Sequence, residues 1–131
     1  MSIQIKNIRI VDPSSNTDKT GDIFIENGKI VSKLSTPADK IIDGKNKIAV
    51  AGLIDIHSHL REPGQEEKET IATGTMSACK GGITTVFCMP NTKPPTDNAP
   101  SVEYILMKSQ KEGKVNVFPI GCITKNSEGI E

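Results

Sequence analysis

Residues 52–64 constrain the fold of this chain more than any other stretch, because a predicted strand runs there directly into several chemically active side chains. The apolar run at residues 53–56 predicts a short buried strand, and a proline-glycine pair then turns the chain into a loop. Side chains alternate between the two faces of a strand, so we expect Asp55, His57 and His59 to share one face. The stretch therefore predicts two neighbouring imidazoles at the carboxyl end of a strand.

The two imidazoles make a metal site the first hypothesis for this stretch. Residues two apart on a strand lie roughly 6–7 Å apart at Cα, so both rings can reach one ion at about 2.0–2.1 Å. A bare His-x-His pair is structural at least as often as metal-binding, but the only two histidines of the chain, His57 and His59, both lie here. Asp55 is placed to orient one of them. The guanidinium of Arg61 suits an anionic substrate, because it binds a carboxylate through two hydrogen bonds.

The composition argues against nucleic-acid and membrane partners. Lys and Arg total 16 and Asp and Glu total 16, so the chain has no net charge that would attract a polyanion. There is no Trp and one Tyr, which removes the aromatic platforms on which bases stack. The first residues lack the apolar run of a signal peptide, and no stretch approaches membrane-spanning length. Three cysteines without a Cys-x-x-Cys pair predict free thiols in a reducing cytosol, with Cys88 as a small buried side chain.

Residues 1–51 predict β structure without any side chain that requires chemistry. The apolar alternation at residues 3–5 resumes one residue out of phase at residues 8–10, which predicts a bulge or turn between them. Asn-Gly at residues 27–28 predicts a hairpin with a type I′ turn. Asp-Gly at residues 43–44 predicts a second turn between two short strands.

From residue 52 onward the pattern changes to alternating strands and helices, which predicts parallel strands joined by right-handed helical crossovers. The predicted strands lie at residues 53–56, 83–89 and 115–121. The first predicted helix starts in the acidic segment 65–69 and ends at Lys80. The second is capped by Asn98 or Ser101 and ends at Glu112. In the second helix we expect Val102, Ile105 and Leu106 to face inward.

Two motifs in this part of the chain resemble those of a known family. Asp-x-His-x-His-x-Arg-x-Pro-Gly at residues 55–64 resembles the first-strand signature of dihydroorotases, which belong to the amidohydrolase superfamily. Met-Pro-Asn-Thr at residues 89–92 resembles a second marker, which the family places after its second barrel strand. The chain departs from the family pattern at Ala51, where proline is more common, and this bears on local rigidity rather than on chemistry.

The resemblance implies an α/β fold class: the N-terminal part of a (β/α)8 metal-dependent hydrolase barrel, or TIM barrel, preceded by a small β-sandwich segment. Residues 1–51 would form the β-rich N-terminal segment of a composite β domain, and residues 52–131 the first βαβαβ units of an incomplete barrel. A closed barrel takes about 250 residues. We therefore expect the 131 residues to be the N-terminal portion of a longer enzyme, as a fragment or a truncated gene product.

The resemblance also implies an activity, the zinc-dependent reversible hydrolysis of the cyclic amide of L-dihydroorotate to N-carbamoyl-L-aspartate in de novo pyrimidine biosynthesis. It assigns His57 and His59 to zinc, in a site that is usually binuclear. It assigns His59, Arg61 and Asn91 to the substrate. The acid/base Asp and the remaining ligands are expected beyond Glu131, so no catalytic residue is assigned and the chain alone is expected to be inactive.

Two alternatives stay open at this point. The first is a related cyclic amidohydrolase such as an allantoinase or hydantoinase, against which Arg61 and the Met-Pro-Asn-Thr marker argue. The second is a non-catalytic dihydroorotase-like fragment. For the single residues, Arg61 could instead be a surface ion-pair residue and Asn91 a turn former. In the enzyme hypothesis the partner is a small-molecule substrate in the cytoplasm, with neither nucleic acid nor membrane, and assembly into a homo-oligomer stays open.

Overall fold

The structure is a computed structural model that describes residues 1–130, so Glu131, the last residue of the predicted barrel segment, lies outside the described residues. The chain divides into two compact units, Met1–Ala51 and a unit that begins at Gly52. Within the described residues, no helix is both long enough and apolar enough to cross a membrane. Each unit is built around its own sheet.

One sheet of five strands makes up the first unit. The strands are β1 (Ser2–Asp12), β2 (Thr17–Glu26), β3 (Lys29–Val31), β4 (Lys40–Asp43) and β5 (Ile48–Ala49), and a 3-10 helix, Pro13–Ser15, links β1 to β2. The strand order is β3-β2-β1-β4, with β5 also paired to β1. β1 is antiparallel to β2 and parallel to β4 and β5. These strands form one layer, so residues 1–51 do not themselves supply the second layer of the predicted sandwich.

The predicted bulge and the predicted hairpin of this unit are both confirmed. The register between β1 and β2 shifts between Ile5 and Ile8, and Asn7 in this interval has a φ of 59°. Asn27 and Gly28 have φ values of 52° and 75°, and a type I′ turn requires positive φ at both positions. Local sequence signals therefore place two of the changes of direction in this sheet.

The turn predicted at residues 43–44 does not join two paired strands. β4 and β5 each pair with β1 in parallel, one after the other along its length. The backbone N–H of Gly44 donates to the backbone oxygen of Lys6 at 2.7 Å, and a Cβ on Gly44 would lie 2.6 Å from the Cβ of Ile8. The glycine is therefore required for a close approach of two backbones and not for a hairpin.

The second unit alternates strands and helices, as predicted. Its elements are β6 (Leu53–Ser58), α1 (Ile71–Lys80), β7 (Ile83–Cys88), α2 (Ala99–Glu112), β8 (Asn116–Pro119) and a 3-10 helix, Lys125–Ser127. The three strands form a parallel sheet in the order β6-β7-β8. The described part of this unit is therefore an open α/β sheet of three strands.

The first helix of this unit begins later than predicted. Thr70 caps it, because the Thr70 hydroxyl accepts from the backbone N–H of Thr73 while the Thr73 hydroxyl accepts from that of Thr70. The acidic segment 65–69 lies before the helix, since this reciprocal capping outweighs the weaker preference of acidic residues for a first turn. In α2, Asn98 and not Ser101 is the cap, and its Oδ1 accepts from the Ser101 backbone N–H at 3.0 Å.

The core of the second unit lies between the helices and one face of the sheet. Its buried side chains are Leu60, Ile71, Val86, Cys88, Ile105 and Val117. Cys88 is confirmed as a buried free thiol, and Ile105 is confirmed as facing inward. The inward prediction for Leu106 is wrong for the described residues, because its side chain is 39% exposed.

The opposite face of the same sheet is open. Ile54 and Ile56 on β6 are 61% and 73% exposed, and Phe118 on β8 is half-exposed. Phe118 stacks on Phe87 of β7 with ring centroids 5.3 Å apart. The prediction of a short buried strand at residues 53–56 is therefore wrong as to burial for the described residues, because the helices of this unit cover only one side of the sheet.

Candidate metal and substrate site at the strand ends

A bulge in β6 decides which of its side chains face the open side of the sheet. Asp55 pairs with Val86 and Ser58 pairs with Cys88, so three steps along β6 match two steps along β7. The extra residue shifts the alternation of faces by one position. Because Val86 and Cys88 belong to the core, both Asp55 and Ser58 lie on the core side of the sheet.

His57 precedes Ser58 on β6 and therefore lies on the open side, and His59 follows directly after the end of the strand. The expectation that Asp55 shares their face is wrong, because the bulge lies between Asp55 and Ser58. Asp55 still contacts this stretch, since its Oδ1 accepts from the backbone N–H of His57 at 3.0 Å. Its carboxylate thus stabilises the backbone of the bulge rather than an imidazole.

The two imidazoles lie next to each other at the end of the strand. Their ring centroids are 5.2 Å apart, their planes are inclined by 61°, and both side chains are exposed. Neutral imidazoles are favoured zinc ligands, but catalytic zinc sites take three protein ligands. Among residues 1–130, no three His, Cys, Asp or Glu side chains cluster in a way that would hold a metal ion. His57 and His59 therefore offer two nitrogen donors of a type that suits zinc, one fewer than a catalytic zinc site takes.

The structure brings His59 together with Asn91, a residue of the second motif. The Nδ1 of His59 lies 2.9 Å from the Oδ1 of Asn91. A carbonyl oxygen can only accept a hydrogen bond, so this contact is a hydrogen bond in the His59 tautomer that carries its proton on Nδ1. In that neutral tautomer the Nε2 carries a free lone pair, so Nε2 is the nitrogen that can bind a metal ion.

Arg61 occupies an unusual backbone conformation just beyond the strand. Its φ is 62°, in the left-handed region, and its backbone oxygen accepts from the backbone N–H of Gln65 at 3.1 Å. In the part of the chain that the structure describes, no carboxylate forms an ion pair with its guanidinium. This argues against a surface ion pair as the reason for an arginine here.

Backbone contacts join the loop after β6 to the loop after β7. The backbone N–H of Lys93 donates to the oxygen of Pro63 at 2.9 Å, and that of Met89 donates to the oxygen of Ser58 at 2.8 Å. Gly64 has a φ of 89°, and any Cβ there would collide with the backbone of Lys93. The glycine of the first motif is therefore needed so that the two loops can touch, and this contact places His59 and Asn91 side by side.

Two buried threonines, one of them the last residue of the second motif, hold the second loop in shape. Thr92 and Thr96 are buried, and their hydroxyls lie 3.1 Å apart. The Thr92 hydroxyl also donates to the backbone oxygen of Pro94 at 2.7 Å, and the backbone oxygen of Thr96 accepts from the N–H of Cys122 at 2.7 Å. A polar threonine in a proline-rich loop gives no sequence signal of burial, so the burial of these two side chains could be found only from the structure.

Glu62 is the other residue that the sequence did not reveal. It follows Arg61 directly, and its carboxylate is buried, where it faces the Tyr104 hydroxyl at 3.3 Å and the Lys108 ammonium at 3.4 Å. Burial, together with the nearby Glu62 charge, raises the pKa of Tyr104. The pKa of Lys108 is raised by its hydrogen bond to Glu112 and by the charge of Glu62. An acidic residue inside a motif was the only available signal, and it did not distinguish Glu62 from the exposed acidic residues that follow.

Comparison with known proteins agrees with the two motifs. The sequence profile of the dihydro-orotase-like family matches residues 46–131. A dihydroorotase of Endomicrobium trichonymphae is 70% identical over 131 residues, which cover 100% of this chain and 31% of that protein. A dihydroorotase of Solibacter usitatus (strain Ellin6076) is 48% identical over 134 residues, which cover 100% of this chain and 31% of that protein. The chain thus spans about a third of the length of these curated relatives.

Solved structures of related hydrolases have a similar fold. L-hydantoinase (dihydropyrimidinase) from Arthrobacter aurescens matches with a TM-score of 0.79 and 27% identity, over 91% of this chain and 27% of that chain. A D-hydantoinase matches with a TM-score of 0.77 and 25% identity, over 95% of this chain and 28% of that chain. Since the family profile matches well over half of its residues, the chain belongs to the dihydro-orotase-like family.

Proposed function

We propose that this chain forms the N-terminal part of a dihydroorotase, which hydrolyses the cyclic amide of L-dihydroorotate reversibly to N-carbamoyl-L-aspartate in de novo pyrimidine biosynthesis. One observation supports this most strongly: His59 of the first motif lies 2.9 Å from Asn91 of the second. Two stretches separated by more than 30 residues thus meet at the carboxyl ends of parallel strands, where α/β barrels build their active sites. The names of the curated relatives support the same activity.

The proposed fold of the whole protein is a closed (β/α)8 barrel with a composite β domain. The open face of the sheet supports this, because Ile54, Ile56 and Phe118 are apolar side chains that further strands of a barrel would cover. Residues 1–51 would contribute one layer of the β domain, and residues from 52 onward the first strands of the barrel. Assembly of the whole protein into a homo-oligomer stays a prediction.

The metal part of the proposal is that His57 and His59 bind zinc, usually as part of a binuclear site. Zinc, when bound, would polarise the amide carbonyl and supply a water that is nucleophilic near neutral pH. His59 would bind through Nε2, because its Nδ1 donates to Asn91. Ligands beyond these two imidazoles, and the acid/base Asp, are assigned to the part of the protein outside residues 1–131.

The substrate part of the proposal concerns the carboxylate of dihydroorotate. The guanidinium of Arg61 would bind it through two parallel hydrogen bonds, and the side-chain amide of Asn91 would donate another. His59 is hydrogen-bonded to Asn91 and would line the same subsite. A small anionic substrate in the cytoplasm fits this arrangement.

A hydantoinase-like activity is the second candidate, because the solved structures above are hydantoinases. Simple hydantoins and dihydrouracil lack the carboxylate that dihydroorotate carries, so they would leave the Arg61 guanidinium without a partner. The two hypotheses therefore differ in the charge of the preferred substrate.

A substrate panel tests the proposal on the full-length protein that carries this chain. The purified, zinc-loaded protein is assayed with dihydroorotate, dihydrouracil, hydantoin and allantoin under the same conditions. We expect dihydroorotate to give the highest kcat/KM. A protein that hydrolyses one of the uncharged rings and leaves dihydroorotate intact would contradict the proposal.

A further inference from the structure

We propose that the amide of Asn91 is a positioning group for His59 as well as a substrate contact. Its Oδ1 would hold the proton of His59 on Nδ1, and its Nδ2 would donate to the substrate carboxylate. The second half of this inference rests on the proposed function, whereas the first half concerns only the described residues. One amide would thus couple the metal-binding form of an imidazole to recognition of the substrate.

The hydrogen bond itself supports the first half. The His59 Nδ1 and the Asn91 Oδ1 are 2.9 Å apart, which is an ordinary length for an N–H···O bond. Because the oxygen has no proton to give, the bond favours the His59 tautomer that carries its proton on Nδ1. Isolated neutral imidazole side chains favour the other tautomer, with the proton on Nε2. Asn91 therefore selects the less common form, in which Nε2 is free to bind a metal ion.

The surroundings of Asn91 support a fixed orientation of its amide. Its backbone oxygen accepts from the side-chain Nε2 of Gln65 at 3.1 Å. The next residue, Thr92, is buried and hydrogen-bonded through its hydroxyl, and the backbone of Lys93 is bonded to the first loop. The loop is therefore held on both sides of Asn91, so the amide does not need to be ordered by a ligand.

The polarity of the amide supports the second half. With Oδ1 engaged by His59, the end that remains is Nδ2, which offers only hydrogen-bond donors. A carboxylate accepts hydrogen bonds and has none to donate, so this end has the correct polarity for an anionic substrate. An amide turned the other way would present an oxygen to the carboxylate and would repel it.

The tautomer of His59 can be measured in the metal-free full-length protein that carries this chain. Imidazole nitrogen NMR of the neutral rings reports it: the His59 signals are those that disappear in a His59→Ala variant, and His57 serves as the internal reference. We expect wild-type His59 to carry its proton on Nδ1, and Asn91→Leu to shift it toward Nε2. Asn116→Leu is the matched control, because Asn116 lies on β8 and contacts Thr85 instead of a histidine.

Zinc affinity and substrate kinetics of the full-length protein separate the two roles. Asn91→Asp still offers an acceptor to His59, so we expect its zinc affinity to equal or exceed that of wild type. Its carboxylate repels the substrate carboxylate, so KM for dihydroorotate should rise. Asn91→Leu removes both roles, and we expect zinc to bind about 10–100-fold more weakly, as for other lost partners of metal-bound histidines.

Two outcomes would overturn the inference. One is a wild-type His59 with its proton on Nε2, or a tautomer that Asn91→Leu leaves unchanged. The other is unaltered zinc affinity in Asn91→Leu combined with a raised KM, which would make Asn91 a substrate contact alone. Failure of the proposed function is distinct, because a protein that does not hydrolyse dihydroorotate would leave the tautomer and zinc measurements intact.

Discussion

The carboxylate of Glu62 accepts a hydrogen bond from the backbone N–H of Ile71, with 2.8 Å between Oε2 and N, although the Glu62 side chain is only 4% exposed. Ile71 is the first residue of α1 and is fully buried. The same carboxylate contacts Tyr104 and Lys108 on α2. Glu62 therefore ties the loop that contains Arg61 to both helices of the second unit.

We expect Glu62→Ala to lower the free energy of unfolding of this unit by about 2–3 kcal/mol, because it leaves the buried Ile71 N–H without an acceptor. Glu62→Gln keeps an acceptor oxygen and should lose about 1 kcal/mol. Urea unfolding followed by circular dichroism measures both. Glu103→Ala, on the exposed side of α2, is the matched control, and equal stability of the Glu62→Ala and Glu103→Ala variants would refute the assignment.

The thiol of Cys88 gives a pH dependence of stability. Burial raises the pKa of the Cys88 thiol from 9.0 to about 11. Between these values the unfolded chain loses the thiol proton and the folded chain keeps it, so stability is full below pH 9.0 and falls as pH rises toward about 11. A two-unit shift corresponds to at most about 2.7 kcal/mol.

The measurement is the difference in unfolding free energy between wild type and Cys88→Ala across this pH range. Tyrosine and lysine groups titrate there in both proteins, so subtraction removes their contribution. We expect the difference to change with pH, and a constant difference would contradict the burial argument.

In the native state the exposed Cys79 should react with a thiol reagent before Cys88 does.

Arg61 is expected to act on the substrate and not on the metal. In the full-length protein, Arg61→Ala should lower kcat/KM for dihydroorotate about ten- to hundredfold, since a charged hydrogen bond is worth about 1.5–3 kcal/mol. Zinc content should stay at the wild-type level. Arg9→Ala is the control, because Arg9 lies in the first unit, where it pairs with Asp18. Loss of zinc in Arg61→Ala would contradict this assignment, because it would show that the substitution disturbs the loop that carries the metal ligands.

The 131-residue chain alone should bind zinc weakly and hydrolyse no dihydroorotate. Its two imidazoles fall short of the three protein ligands of a catalytic zinc site. The open apolar face around Ile54, Ile56 and Phe118 should also promote self-association. Zinc titration, size-exclusion chromatography and a hydrolysis assay test this, and submicromolar zinc binding with turnover would show that residues 1–131, or a second copy, complete the site.

Much of the fold follows from local patterns in the sequence. Asn27-Gly28 predicts its turn because few other pairs tolerate positive φ at both positions. The strand-helix-strand order follows from apolar periodicity and from glycines at the helix ends. These features depend on residues that are close in sequence, so no knowledge of distant contacts is needed.

The late start of α1 was mispredicted although its cause, the capping by Thr70 and Thr73, is local. Other features that were mispredicted or missed depend on partners that are distant in sequence. The bulge in β6 is defined only against β7, and it moves Asp55 to the core side although simple alternation groups it with His57. The burial of Glu62 depends on α2, more than 40 residues away. The exposure of Ile56 depends on which elements cover the sheet, and a strand pattern does not contain that information.

The central claim is that His57 and His59 bind the metal ion on which hydrolysis of dihydroorotate depends. The most direct test is zinc content and dihydroorotate turnover, measured together in the full-length protein and in its His57→Ala and His59→Ala variants. We predict that wild type contains zinc and turns over dihydroorotate, and that each variant loses both, because each imidazole supplies one ligand nitrogen. Full zinc occupancy with normal turnover in either variant would contradict the account.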